Sequence, residues 1–444
     1  MNIANKLKTK LDFFYSKNVT VFLFILFSVV NLVYFISGFF MFFLNKKGNA
    51  DEYYQYNLYT VTSFSLNNIF YTPSQPFIFL SSCVDYFLSK PMMSTRVVSL
   101  LLFVVLLVFF IKKIKAIQST AIEKVYKITF FICAIAITNQ MYSGTSDFLS
   151  FVFLVPPFLI ILDSINLKKI NLSINFCVFI GLLFAISIAS RPTAIILIAL
   201  FYTSMFLILG FKIIFCKENL VMLLSLGFFL SLINFLPIIQ QQKIILDVKE
   251  VPEETGVNWF QKNYLMAKFW DSNKIPTSQW ISTAEVIEFK KQNPNFEFPK
   301  NQIELLLKEP GLYFRQMIRM FVKAMYTSFR FMYFLFPIML LSFINSKRIS
   351  WLKTCNYKNP NGIAKNKIIV LFHFISIIVF SFIAVKMFEF RWVIPIMILY
   401  TYYAIHYISL LPIKARFLIY NFSFICGILL YMMFFIKNGL IYSS

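Results

Sequence analysis

The chain has 444 residues, 59% of them hydrophobic and 14% charged, with a mean hydropathy of +0.72, which excludes a water-soluble globular protein of this size. Its formal net charge of +23 is spread over short basic clusters between apolar runs, so it reads as a topology signal and not as a nucleic-acid-binding patch. Apolar runs of about 20 residues cross the hydrocarbon core as helices, and the alternation of a membrane barrel is absent. The expected class is an all-α polytopic membrane protein.

The basic segment 1–17 leads into a first span at 19–44 without a small-residue cleavage site. It therefore reads as a retained span with the N-terminus in the cytoplasm. Asp51 and Glu52 then fall outside, in a first outer loop covering 45–95. There Tyr53, Tyr56 and Tyr59 recur at helical spacing and Pro73 and Pro76 break the chain, which predicts helices lying along the outer interface. A second span at 96–111 ends in Lys112, Lys113 and Lys115, and a third returns outward by Thr138. The polar turn 139–147 enters a fourth span at 148–165, and Lys168 and Lys169 mark the next inner turn.

Residues 172–211 are apolar for two spans' length, interrupted at Ser190-Arg191-Pro192, which reads as an outer turn between two helices. A span at 220–239 leads into a large extracytoplasmic loop, 240–311, with most of the acidic residues and Trp259, Trp270 and Trp280. Its end, 302–310, predicts a short amphipathic helix stopped by Pro310. A basic amphipathic stretch with Arg315, Arg319, Lys323 and Arg330 merges into a span ending near 344. The basic inner loop 347–367 precedes spans at 368–385, 392–411 and 417–436, the first two joined by an outer turn with Lys386, Glu389 and Arg391. The expected total is about 11 spans in one domain, 1–444, multi-pass in the cytoplasmic (inner) membrane with an extracytoplasmic working face.

This topology brings Asp51, Glu52, Asp147, Arg191, Glu389 and Arg391 to the outer ends of spans. Each has an ordinary alternative role. Asp51 and Asp147 serve equally as helix N-caps and Glu52 as a first-turn acid. Arg191 and Arg391 serve equally as snorkelling interface arginines, and the tyrosines as an interfacial belt. His373 and His406 lie within spans and read as packed helix residues, not metal ligands. The six cysteines form no CxxC and read as buried small hydrophobes. The functional alternative gives the polar groups one task. A carboxylate at a membrane surface can deprotonate an acceptor hydroxyl while arginines at the same level hold an anionic phosphate leaving group. Sugar transfer from a polyprenyl phosphate needs that pairing.

Asp51-Glu52 after the first span, Thr145-Ser146-Asp147 in the second outer turn, Arg191-Pro192-Thr193 opening a span and Arg391-Trp392-Val393-Ile394-Pro395 resemble the GT-C superfamily of integral-membrane glycosyltransferases. The stretch 286–319, with Glu309-Pro310-Gly311-Leu312-Tyr313, is similar to the segment that follows the large outer loop in bacterial protein mannosyltransferase and aminoarabinose transferase relatives. The order of the Asp-Glu pair, the Thr-x-Asp turn and the Arg-x-Thr span start is also similar to the dolichyl-phosphate-glucose α-1,2-glucosyltransferases.

The resemblance implies a GT-C-like bundle with a polyprenyl-phosphate-sugar donor, a glycan, lipid or protein acceptor, surrounding membrane lipids and no nucleic-acid partner. It implies Asp51 as the base of an inverting transfer, supported by Glu52 and Asp147, with Arg191, Arg391 and Lys386 on the donor phosphate. No His or acid cluster marks a metal site, so the expectation is catalysis without a cofactor, although some relatives use a divalent ion. The soluble C-terminal domain of some oligosaccharyltransferases is missing, which argues against that branch. Two alternatives stand beside this reading. A transporter or flippase for a lipid-linked sugar would place ionisable groups mid-span with paired broken helices. An oligosaccharide polymerase or ligase would rely on outer-loop arginine and histidine.

Overall fold

A computed structural model describes residues 17–44, 69–70, 74–117, 119–136, 138, 140–166, 169–242, 244–245, 259–272, 274, 281–332, 335, 360–383 and 390–442. Asp51, Glu52, Lys386 and Glu389 lie outside these residues, as does most of the expected span ending near 344. The described chain is helical, apart from a two-stranded antiparallel ribbon, β1 (Ile165–Asn166) with β2 (Lys169–Ile170), at the expected inner turn. The described residues form two compact units: those within Met1–Leu246, Ser328–His373 and Ile394–Ser444, and those within Asp247–Thr327 and Phe374–Val393.

The first unit begins with α1 (Lys17–Gly38), continued by a π-helical turn Phe39–Phe43. Helix α2 (Gln75–Leu88) falls within 45–95, the stretch where short helices are expected. Helices α3 (Pro91–Ala116), α4 (Ala121–Ala136) and α5 (Asp147–Ser164) follow, then α6 (Ile174–Ser190) and α7 (Thr193–Leu209), separated at the predicted Arg191-Pro192 break. A single turn, α8 (Phe211–Ile214), precedes α9 (Lys217–Ile233) and α10 (Phe235–Gln241).

Among the described residues five helices are long and apolar enough to cross a membrane, in α1, α3, α5, α15 (Pro360–Ile383) and α17 (Ile413–Tyr442), and α9 with α10 makes a sixth if counted as one bent span. The chain is a membrane protein with apolar transmembrane helices. The span expected at 220–239 is bent by 66° between α9 and α10. Its cause is local: Pro237 sits in the first turn of α10 and offers no N–H to the preceding turn. Asn234 at the break fills in, its Nδ2 donating to Leu230 O at 3.0 Å and its Oδ1 accepting from Ile245 N at 3.0 Å.

Packing inside this unit follows membrane rules, with small residues where backbones approach and hydroxyls bridging helices. Helix α6 runs against α9 at Gly181, where an added Cβ would come within 2.7 Å of Met222 O. Between α5 and α6, Ser150 Oγ and Ser187 Oγ are 2.8 Å apart, and Ser187 Oγ also lies 3.0 Å from Ser150 O. Helix α16 (Ile394–Ser409) is buried along almost its whole length and packs on α4 and α5. Aromatic rings fill the rest: Phe130 of α4 stacks on Phe424 of α17 at 4.8 Å, and Phe158 of α5 on Phe201 of α7 at 4.3 Å. His373 is buried beside the Tyr400 ring at 5.2 Å, as the packed-residue reading expects.

At the opposite helix ends, a capping box closes α4, with Glu123 N–H donating to Thr120 Oγ1 and Thr120 N–H to Glu123 Oε2. Arg416 of α17 pairs with Glu123 at 3.1 Å, and Lys127, a fully buried cation of α4, donates to Ser409 Oγ at 2.9 Å. Lys113 of α3 pairs with Asp163 of α5 at 2.8 Å.

The second unit holds α11 (Trp259–Asp271), α12 (Thr283–Gln292), α13 (Gln302–Lys308) and the first part of α14 (Pro310–Met332). The predicted helix before Pro310 is α13, and Pro310 opens α14 as its first residue. A Ser282–Glu285 capping box starts α12 and Asn301 caps α13. The polar composition of 240–311 conceals two small cores. Tyr264, Ala267, Leu305, Leu312 and Tyr313 make one, and Leu265, Met266, Ile281 and Val286 the other, with Phe298 packed against both. Lys268 and Tyr264 both bond Glu309, Lys268 at 2.7 Å. Burial opposes ionisation of Glu309, but these bonds outweigh it and hold the carboxyl below its ordinary value.

Candidate active site

Two of the expected site residues meet. Asp147 opens α5 and Arg191 follows α6, and Arg191 NH2 donates to Asp147 Oδ2 at 2.8 Å. The sequence sets both positions. A residue before proline is driven out of helical conformation, and Arg191, ahead of Pro192, is extended at φ −151°, ψ 117°. That single residue ends α6. Asp147 lies in the first turn of α5, where the helix dipole favours a carboxylate. Ser146, not Asp147, holds the N-cap position, so Asp147 spends its Oδ2 on Arg191 and on Thr145, whose Oγ1 donates at 3.0 Å.

The pair is only 6% exposed on the Asp147 side chain and 18% on Arg191. The Arg191 Nε is buried and has no hydrogen-bond partner among the described residues. A guanidinium offers five N–H donors, so Arg191 is anchored through one edge with a further donor left over.

The surrounding shell is built from short polar contacts. Ser74, at the start of α2, adopts φ 58° and donates to Ser190 O at 2.9 Å, with Ser146 Oγ 3.0 Å away. One hydroxyl thus joins the residues flanking Asp147 and Arg191 to the start of α2. On the other side, the turn before Asp147 presses on α3, where a Cβ on Gly144 would overlap Thr95 Oγ1 and lie 3.4 Å from Arg96 Cγ. Arg96 is 2% exposed and its NH1 donates to Phe43 O at 2.8 Å. Arg96 and Ser74 are absent from the sequence-based candidates. For Arg96 a signal exists, an arginine facing an apolar run; for Ser74 there is none.

Arg391 lies in a 3-10 turn, Phe390–Trp392, of the second unit, and its neighbour Trp392 contacts the Phe380 ring at 5.4 Å. Asp51, Glu52 and Lys386 fall outside the described residues. Among the described residues no three His, Cys, Asp or Glu side chains are grouped as metal ligands require, so the donors on hand are guanidinium, hydroxyl and one paired carboxylate. That set suits recognition of an anionic oxygen. The chain matches no family model, no curated protein sequence and no solved structure.

Proposed function

We propose that the chain is a GT-C-like membrane glycosyltransferase of about 11 spans in the cytoplasmic membrane, transferring a sugar from a polyprenyl phosphate to a glycan, lipid or protein acceptor on the extracytoplasmic face. In this reading Asp51 removes the acceptor hydroxyl proton, the acceptor oxygen bonds to the anomeric carbon, and the carbon–phosphate-oxygen bond breaks to release polyprenyl phosphate. Glu52 supports Asp51, and Arg391 and Lys386 add cationic charge for the phosphate.

The observation that carries the reading is the anchored arginine. Arg191 is held by Asp147 at 2.8 Å with its Nε buried and unpartnered among the described residues. Developing negative charge on a leaving phosphate is what such a preset donor stabilises. Asp147 then acts as a positioning residue, because its carboxylate is engaged by Arg191 and Thr145.

The test is sugar release from a polyprenyl-phosphate-sugar by the purified protein in lipid. Asp51→Asn abolishes transfer while donor binding persists, and Arg191→Ala weakens donor binding. Full transfer by both variants overturns the proposal. A flippase is the second reading, favoured by the broken helix at Asn234. It predicts movement of a labelled lipid-linked sugar across vesicles with no sugar released.

A further inference from the structure

Helix α14 divides its surface into three sectors. At 3.6 residues per turn, Gln316, Met320, Ala324 and Ser328 share one face, and all are buried. A second sector carries Phe314, Ile318, Val322, Tyr326 and Phe329, all large, apolar or aromatic and all exposed, from 41% to 59%. A third, adjoining that stripe, carries Arg315, Arg319 and Lys323, likewise exposed.

The cations are held in place. Asp271, at the end of α11, accepts Arg315 NH2 at 2.7 Å and Arg319 NH1 at 3.1 Å, and the Arg319 guanidinium lies 5.2 Å from the Trp270 ring. One carboxylate against two arginines and a lysine leaves the sector net positive. A water-facing helix has no use for five exposed apolar side chains at a spacing of three to four residues, and a spanning helix would not carry three cations along one edge. The combination is that of a helix lying in a membrane interface, with its apolar stripe among acyl chains and its cations level with lipid phosphates.

We propose that this face of α14 is a lipid-binding surface that selects anionic phospholipid. The phosphates of two neighbouring head groups meet Arg315, Arg319 and Lys323, and Phe314, Ile318 and Val322 enter the acyl layer beside them. The proposal uses neither Asp147 nor Arg191 and does not rest on the glycosyltransferase reading.

The full chain, with benzoylphenylalanine replacing Ile318, is reconstituted in nanodiscs of equal parts phosphatidylcholine and phosphatidylglycerol and photolysed. The expected result is a lipid adduct, read by mass, with phosphatidylglycerol captured at least about twofold above its share. Introducing Arg315→Gln, Arg319→Gln and Lys323→Gln together returns capture to parity while the lipid adduct persists. If loss of the Asp271 pairs unfolds that variant, Lys323→Gln serves alone, since its ammonium has no ion pair among the described residues; it lowers the enrichment without abolishing it. An adduct to protein, including a second copy of this chain, capture at the bulk ratio, or enrichment untouched by Lys323→Gln overturns the proposal.

Discussion

Ser150 and Ser187 face each other across α5 and α6, their Oγ atoms 2.8 Å apart, one helical turn from the Asp147–Arg191 pair. The two contacts form a ladder, with a neutral rung inside the bundle and an ionic rung at its end. Hydroxyl bridges between membrane helices contribute about 0.6 kcal/mol on average. Ser150→Ala and Ser187→Ala should each cost about that much, and the double variant little more than either, measured by thermal melting in detergent. Fully additive losses would show that the rung carries no coupling.

The ionic rung behaves differently. Removing one member of a buried pair leaves an uncompensated charge and costs several times the value of a neutral bridge, whereas replacing both is close to neutral. Asp147→Leu should therefore melt at a lower temperature than the Asp147→Leu/Arg191→Leu double variant. Equal melting temperatures would place Arg191 in water instead of in the protein.

Gly181 sets the approach of α6 to α9, since any Cβ there meets the backbone of Met222 and Leu226. Gly181→Val should separate the two helices, and overpacking of this kind costs about 1–3 kcal/mol. Gly227, on α9, has open space around its α-carbon, so Gly227→Ala should be neutral or slightly stabilising. Size-exclusion profiles and melting curves of the two variants report the contrast.

In the second unit the Arg315 guanidinium, followed by Arg319, holds the Asp271 carboxyl below its ordinary value of 3.8. A carboxyl with a depressed folded-state pKa stabilises fully above its unfolded value. That contribution fades as pH falls below 3.8 toward the folded value. Acid titration followed through Trp270, taken as the difference from Trp270→Phe, should show the transition in the wild type. Arg315→Gln should shift it upward in pH.

Periodicity and punctuation made much of the fold readable in advance. Pro192 announces the end of α6 and Pro310 the start of α14, because proline acts on its neighbours through local sterics alone. The bend at Asn234 was not readable: a proline near a helix start is common, and only the angle to α9 turns it into a break. The cores of the second unit were hidden for another reason. Leu265-Met266 and Val286-Ile287 are short apolar pairs in an otherwise polar stretch, and only the packing of α11 on α12 pools them into a cluster. Asp147 and Arg191 were readable as helix-end charges, but their partnership depends on Ser74, Ser146 and Ser190 meeting across 116 residues of chain, and serine carries no such signal in a sequence.

Helices α6 and α7 have 17 residues each. At 1.5 Å per residue each reaches about 25 Å, short of the ~30 Å of hydrocarbon in an ordinary bilayer. Thinning of the lipid around a short helix is one way in which such a hydrophobic mismatch is met. If α6 and α7 cross the bilayer, the head groups around them are drawn toward its centre, and Arg191 lies at the junction of the two helices. In the proposed glycosyltransferase reading, that would bring the phosphate of a donor lipid toward the Arg191 guanidinium with no need for the protein to lift it out of the membrane.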